Sequence, residues 1–348
     1  MRPLVRTVLR GSLRQIRHVR AVPHAGARGL VAEVYDRARR EFGIVAPPLA
    51  LHSPAPETLA ACWLMLRETL LAEGRASRAA KEAVATAVSR ANDCPYCVAV
   101  HQAKLDTLPA EEDDGLRALV GRARAGASEP PGSPGAGEAA ELLGTAVTFH
   151  YLNRMVRLFL PDSPVPAATP TAGRGPVMRS VARAMRPDAG TAVTPGAALD
   201  LLPAAPLPAE LGWAEASPSV AGALARAVAA VDRAAERWIP RPVRESVRAE
   251  LAARDGAAPG PGRAWLEEVG AGHAAGHLPA VRLALLVALA PYQITDADLD
   301  AFRAVHPGDR ELVELASWAA LTAAVRAGDR LTLPDPSRPA PPVPSRPH

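Results

Sequence analysis

The stretch Ser77–Leu105, SRAAKEAVATAVSRANDCPYCVAVHQAKL, decides how the chain is read. Its first part predicts a helix over about 76–90, and a second helix starts at the cysteines. Asn92 or Asp93 can cap that second helix, and Pro95 suits its first turn. Cys94 and Cys97 are then i and i+3, with His101 at i+4 from Cys97. All three project from one face of one helix. The sulfurs are close enough to form a reversible disulfide. At a helix N-terminus, the dipole and free N–H groups favour a thiolate. His101 is placed to hydrogen-bond Cys97 or to pass protons to it.

Three chemistries compete for this constellation. A structural zinc site needs four ligands, usually from two segments. Only Cys62 and Glu82 are available to complete one, and nothing resembles a second knuckle. Buried cysteines that merely pack would not explain a polar cap, a proline and a histidine on one short turn. A redox-active dithiol accounts for all of these. Glu82, twelve residues before Cys94 on the preceding helix, adds a carboxyl group. The helix wheel alone argues otherwise. It places Glu82 with Arg78, Thr86 and Ser89, away from the apolar stripe Ala80, Val84, Ala87 and Val88, and so in solvent.

Working outward, helical patterns dominate. LVAEVYDRARREFG (30–43) closes at Gly43. From Pro56 a helix carries Leu59, Trp63, Leu66 and Leu70 on one stripe and stops at Gly74. PAEEDDGLRALVGRARAG reads as charged helix and ASEPPGSPGAG as a flexible loop. EAAELLGTAVTFHYLNRMVRLFL (138–160) is strongly helical. Residues 161–217 are rich in Pro, Ala and Gly, with only VMRSVARAM locally helical. Helices resume at PSVAGALARAVAAVDRAAERWI and RPVRESVRAELAA. LPAVRLALLVALAPYQ follows. Next comes ITDADLDAFRAV, with Thr295 as N-cap, and finally ELVELASWAALTAAVRAG. With 4% aromatic residues and few β-branched runs, the chain is expected to be all-α.

The halves look like distant copies. PETLAACWLML…RAAKEAVATAVS aligns with PSVAGALARAV…RPVRESVRAELAA, which sets Lys81-Glu82 on Arg244-Glu245. The second copy has nothing equivalent to Cys94, Cys97 or His101. The expected organisation is a basic amphipathic segment (1–29), a Cys-bearing domain (30–160), a linker (161–217), a degenerate repeat (218–332) and a disordered tail (333–348).

Bulk properties narrow the function. A net charge of +4 is too small by itself to imply a nucleic-acid partner. Three cysteines are too few for a secreted disulfide framework, which points to a reducing cytoplasm. No apolar run approaches the roughly 18 residues of a membrane span. Arg2, Arg6, Arg10, Arg14, Arg17 and Arg20 alternate with apolar residues at helical spacing. That basic helix either touches a membrane surface or packs on the protein with its arginines in water.

The string Glu82-x11-Cys94-x2-Cys97-x3-His101 resembles the signature of the alkylhydroperoxidase D family, within the carboxymuconolactone decarboxylase-like superfamily. SRAAKEAVATAVSRANDCPYCVAVHQAKL is similar to that family's core throughout, and FHYLNRMVRLF to the Asn-Arg helix that follows it. The resemblance is good over about 30–160. It is faint beyond, and residues 161–217 match nothing known to us. It implies an alkylhydroperoxidase D-like helical bundle whose subunits often trimerise, and hence a homo-oligomer. It also implies that Cys97 attacks a hydroperoxide, Cys94 resolves the product, and Glu82 and His101 relay protons. No cofactor or metal is implied. A lipoyl-type or thioredoxin-type dithiol protein would be the reductant, and the sulfurs must be reachable by it. The decarboxylase branch lacks the Cys pair.

Two alternatives stay open. One is a non-catalytic redox-sensing or docking protein, and the other is a decarboxylase-like enzyme of the superfamily. Minor candidates are Cys62 beside Trp63, expected in the core, and His273 with His277 downstream of Glu267 and Glu268, a metal pair only on a firm helix. His150 and Tyr151 are expected to pack in the core rather than line a pocket.

Overall fold

The structure is a computed structural model that describes residues 13–108, 134–165, 169–186 and 191–332. Most of the basic N-terminal helix, the charged helix of 109–126 and the tail from 333 lie outside the described residues. The described residues are all-α, without a strand, as expected.

The first half contributes α1 (Gly29–Phe42), α2 (Pro56–Leu66), α3 (Arg78–Ala91), α4 (Pro95–Leu105) and α5 (Pro134–Phe159). After α6 (Thr171–Ala184) the second half supplies α7 (Pro218–Glu236), α8 (Arg241–Arg254), α9 (Ala264–Gly270) and α10 (Leu278–Leu289). It ends with α11 (Asp296–Val305) and α12 (Asp309–Thr332). Local chemistry sets several boundaries. Gly43 closes α1 in the left-handed region at φ 85°, where glycine avoids a Cβ penalty. Thr295 and Asp298 form a capping box on α11, which satisfies N–H groups that the first turn leaves free.

Helices matched by the sequence repeat lie against each other: α2 packs on α7, and α5 on α12. Within the first half α3 packs on α4, and within the second α8 packs on α10. Two tandem copies account for this arrangement. Burying both halves' apolar faces in one shared core also explains why α2 is buried almost all round, Cys62 and Trp63 included. Cys62 is a core residue, as expected. The α5–α12 contact is close: a Cβ on Gly328 would run into Val147. Gly328→Ala should therefore lower the unfolding free energy by about 2 kcal/mol through overpacking, measured by urea denaturation.

Polar contacts stitch the Cys-bearing half together. The buried Glu141 carboxylate accepts from the backbone N–H groups of Arg75 and Ala76, each at 3.0 Å, and pairs with Lys81 Nζ at 3.0 Å. It thereby fixes the turn that launches α3. Gly74 lies where any Cβ would strike that carboxylate. α5 begins at Pro134, four residues earlier than the sequence pattern indicated. Proline suits a first turn, and at Gly137 the absent Cβ leaves room for the Arg75 side chain.

The Pro/Ala/Gly-rich stretch contains α6, which packs on α4. Lys104 Nζ of α4 donates to the carbonyls of Met185 (2.7 Å) and Ala182 (3.4 Å) at the C-terminal end of α6. A cation there also meets the negative end of that helix's dipole. Further on, buried Glu68 accepts from the Gly196 N–H at 2.8 Å and Arg67 donates to the Thr194 carbonyl at 3.0 Å. Among the described residues, no helix is long and apolar enough to cross a membrane.

Candidate active site

α3 and α4 meet at a tight corner. Ser77 caps α3 by accepting from the Ala80 N–H at 3.0 Å. α3 is closed by Asn92 as its C-cap, Asp93 takes a left-handed φ of 48°, and Cys94 is itself the N-cap of α4, with Pro95 its first residue. Neither Asn92 nor Asp93 caps α4. The Asn92 amide is turned inward, 2.9 Å from Asn153 Oδ1 and 3.1 Å from His150 Nδ1.

The corner brings the four sequence-predicted residues into one neighbourhood. Cys94 and Cys97 are free thiols with their sulfurs 2.6 Å apart. His101 Nδ1 lies 2.7 Å from Glu82 Oε2. The other Glu82 oxygen accepts from Arg78 Nε (3.0 Å) and Nη2 (2.7 Å). Glu82 is fully buried, which corrects the solvated position given by the helix wheel. α3 is covered on more than its apolar stripe, because α4 and α5 both pack on it. Burial pushes the Glu82 carboxyl group up, but the charges and hydrogen bonds of Arg78 and His101 outweigh it and hold the carboxyl at about 2. An ionised carboxylate only accepts, so Nδ1 of His101 carries the hydrogen and Nε2 is the exchangeable position. The His101 ring also stands edge-on to Phe149, with centroids 4.5 Å apart.

The thiols depart from one expectation. Cys94 is fully buried and Cys97 is 4% exposed. Burial pushes the Cys97 thiol well up, and the adjacent Cys94 pushes it further. A hydrogen bond with Asn153 and a backbone N–H act in the opposite sense. Desolvation thus outweighs the helix-terminus effect that the sequence suggested. The pair is enclosed rather than open to a reductant.

Sequence reasoning missed the polar shell behind the sulfurs. Asn153 Nδ2 also donates to Ser89 Oγ at 3.1 Å, so Ser89, Asn92, His150 and Asn153 form one network beside Cys97. The signal was present in FHYLNRMVRLF, where Asn153 follows His150 by three residues. His150 is pushed down to about 3 by burial, Arg154 and Arg330, so its neutral ring accepts from Asn92. It belongs to this network rather than to plain core packing. Tyr151 is in the core, its hydroxyl bridging His52 Nε2 (2.7 Å) and Ser317 Oγ (3.1 Å). The His273–His277 pair is not assembled for metal binding. α9 ends at Gly270, His273 contacts Ser246 at 2.7 Å, and Glu267 pairs with Arg282.

An all-α bundle that presents a dithiol, a histidine and a buried glutamate at one helix corner has the architecture of the alkylhydroperoxidase D-like class. Sequence comparison agrees. The model of the carboxymuconolactone decarboxylase family matches residues 56–129. An alkyl hydroperoxide reductase of Mycobacterium tuberculosis is 37% identical over 338 residues, covering 90% of this chain and 94% of that relative. The chain belongs to the carboxymuconolactone decarboxylase family, in its alkylhydroperoxidase D-like part. The similarity extends well past residue 160, beyond the region to which the sequence motifs had confined it. No solved structure matches the chain.

Proposed function

We propose that this protein is a thiol-dependent peroxidase that reduces organic hydroperoxides through Cys97 and Cys94. The observation that carries the proposal is two sulfurs 2.6 Å apart on the helix whose His101 is held by buried Glu82. His101 Nε2, directly or through water, takes the Cys97 proton as substrate binds. The thiolate attacks the O–O bond and forms Cys97–SOH. The alkoxide leaves with a proton from His101, as the alcohol. The Cys94 thiol then displaces water from the sulfenic acid and closes the Cys94–Cys97 disulfide. A dithiol protein of lipoyl or thioredoxin type restores both thiols by exchange, becoming the disulfide itself. Glu82 orients the imidazole and stabilises the charge it gains. The relative named alkyl hydroperoxide reductase supports the same chemistry.

With dithiothreitol or dihydrolipoamide as reductant, the purified protein should convert cumene hydroperoxide to its alcohol over many turnovers. A single stoichiometric oxidation under every dithiol tried would refute catalysis. It would favour a second reading, a redox switch, to which the burial of both sulfurs lends weight.

A further inference from the structure

A cleft of about 270 Å³ lies between the two halves and reaches the back of the dithiol corner. Asn92 and Asn153 form part of its wall, and Asn153 hydrogen-bonds Cys97. The opposite wall, from the second half, includes Leu251, Leu289 and Ala323. Three guanidinium groups line the same space: Arg154 and Arg157 from α5, and Arg330 from the end of α12.

We propose that this cleft binds a carboxylate on an apolar chain, and that in turnover it receives the acid end of a hydroperoxide of that class with its O–O group toward Asn153. The inference rests, for its hydroperoxide part, on the peroxidase assignment above.

The charge balance of the cleft carries the argument. Arg157 is neutralised by exposed Asp162 at 2.9 Å. Arg154 is largely buried, donates to the carbonyls of Ala288 (2.9 Å) and His150 (2.7 Å), and has no carboxylate within ion-pair distance among the described residues. Arg330 faces it without an ion pair among the described residues, although Asp255 and Asp329 lie near enough to act on it. Burial, with the Arg330 charge, pushes Arg154 down to about 10. Two cations that repel one another across a partly dry cleft are stabilised when an anion bridges them, and a carboxylate matches the guanidinium fork. Asp93 on the cleft wall, together with Asp255 and Asp329 near Arg330, opposes this. The aliphatic wall selects a carboxylate that carries an apolar chain over a bare inorganic anion.

Calorimetric titration of the full-length protein with decanoate and with decanol tests the site without requiring turnover. The wild type should bind decanoate, bind decanol at least about 10-fold more weakly, and lose decanoate affinity as salt rises. Arg330→Gln, at a side chain that makes no ion pair among the described residues, should weaken decanoate about 10-fold or more. Arg241→Gln, an exposed side chain at the end of α8 remote from Leu251 and paired with Glu245, should not change it. Equal binding of acid and alcohol, unchanged decanoate binding by a folded Arg330→Gln, or anion binding seen only with an acidic protein partner would overturn the assignment. If decanoate binds as described and no hydroperoxide is turned over, the peroxidase reading falls and the carboxylate site stands.

Discussion

Cys97→Ser should eliminate hydroperoxide turnover, a loss on the order of 10³-fold or more, because a hydroxyl cannot replace a thiolate as nucleophile at neutral pH. Cys94→Ser should behave differently. The first attack still occurs, one equivalent of alcohol forms, and a sulfenic acid accumulates on Cys97 with no thiol beside it. Dimedone labelling followed by peptide mass analysis separates the two variants. Label on Cys97 in Cys94→Ser, and none in Cys97→Ser, is the expected pattern. The reverse pattern would exchange the roles of the two sulfurs. Since the Cys97 thiol is held protonated by burial, its alkylation by iodoacetamide should be slow in the resting protein, and slower than that of an ordinary exposed thiol.

Glu82→Gln should have the second large effect, on folding as well as on rate. The carboxyl group is held at about 2 against an ordinary value of 4.5, and it is fully buried. A depressed folded value means that the ionised form stabilises the fold. That contribution is complete above pH 4.5 and is lost as pH falls through 4.5 toward 2. It is on the order of 3 kcal/mol. The glutamine variant loses it and leaves Arg78 without its charge partner, so urea denaturation at pH 7 should show a deficit of about that size. The difference from wild type should shrink steadily between pH 4.5 and pH 2.5. A gap independent of pH would mean that Glu82 acts by shape alone. Turnover should fall about 10²-fold, the usual scale of a general acid–base contribution, because the His101 tautomer and orientation are no longer fixed.

The sequence made the chemical identity of the site legible and left its environment hidden. Spacing alone places Cys94, Cys97 and His101 on one helix face, whereas the link to Glu82 came from the family resemblance and against the helix wheel. Whether Glu82 is wet or dry is a tertiary question. The wheel shows one apolar stripe, but α3 is covered by both α4 and α5, and Arg78 supplies the compensating charge. The enclosure of the thiols is equally non-local. It comes from residues such as Asn153, more than fifty positions away, whose amide finds both Ser89 and Cys97. α6 escaped full recognition because Gly173, Gly175 and Pro176 sit inside it. Its helix is supported by docking on α4 more than by its own propensity. The buried Lys81–Glu141 pair joins residues sixty positions apart, and neither neighbourhood announces it. The repeat, by contrast, was readable from alignment of the halves, and the helices it matches pack on one another, α2 on α7 and α5 on α12.

The most direct measurement is mass mapping of the fully reduced protein after one equivalent of cumene hydroperoxide. The account predicts one equivalent of alcohol, loss of two thiols per chain, and a peptide spanning Cys94 and Cys97 that is lighter by two hydrogens. Cys62, enclosed in the core, should remain reduced. Consumption of peroxide with both thiols intact, or oxidation confined to Cys62, would contradict it.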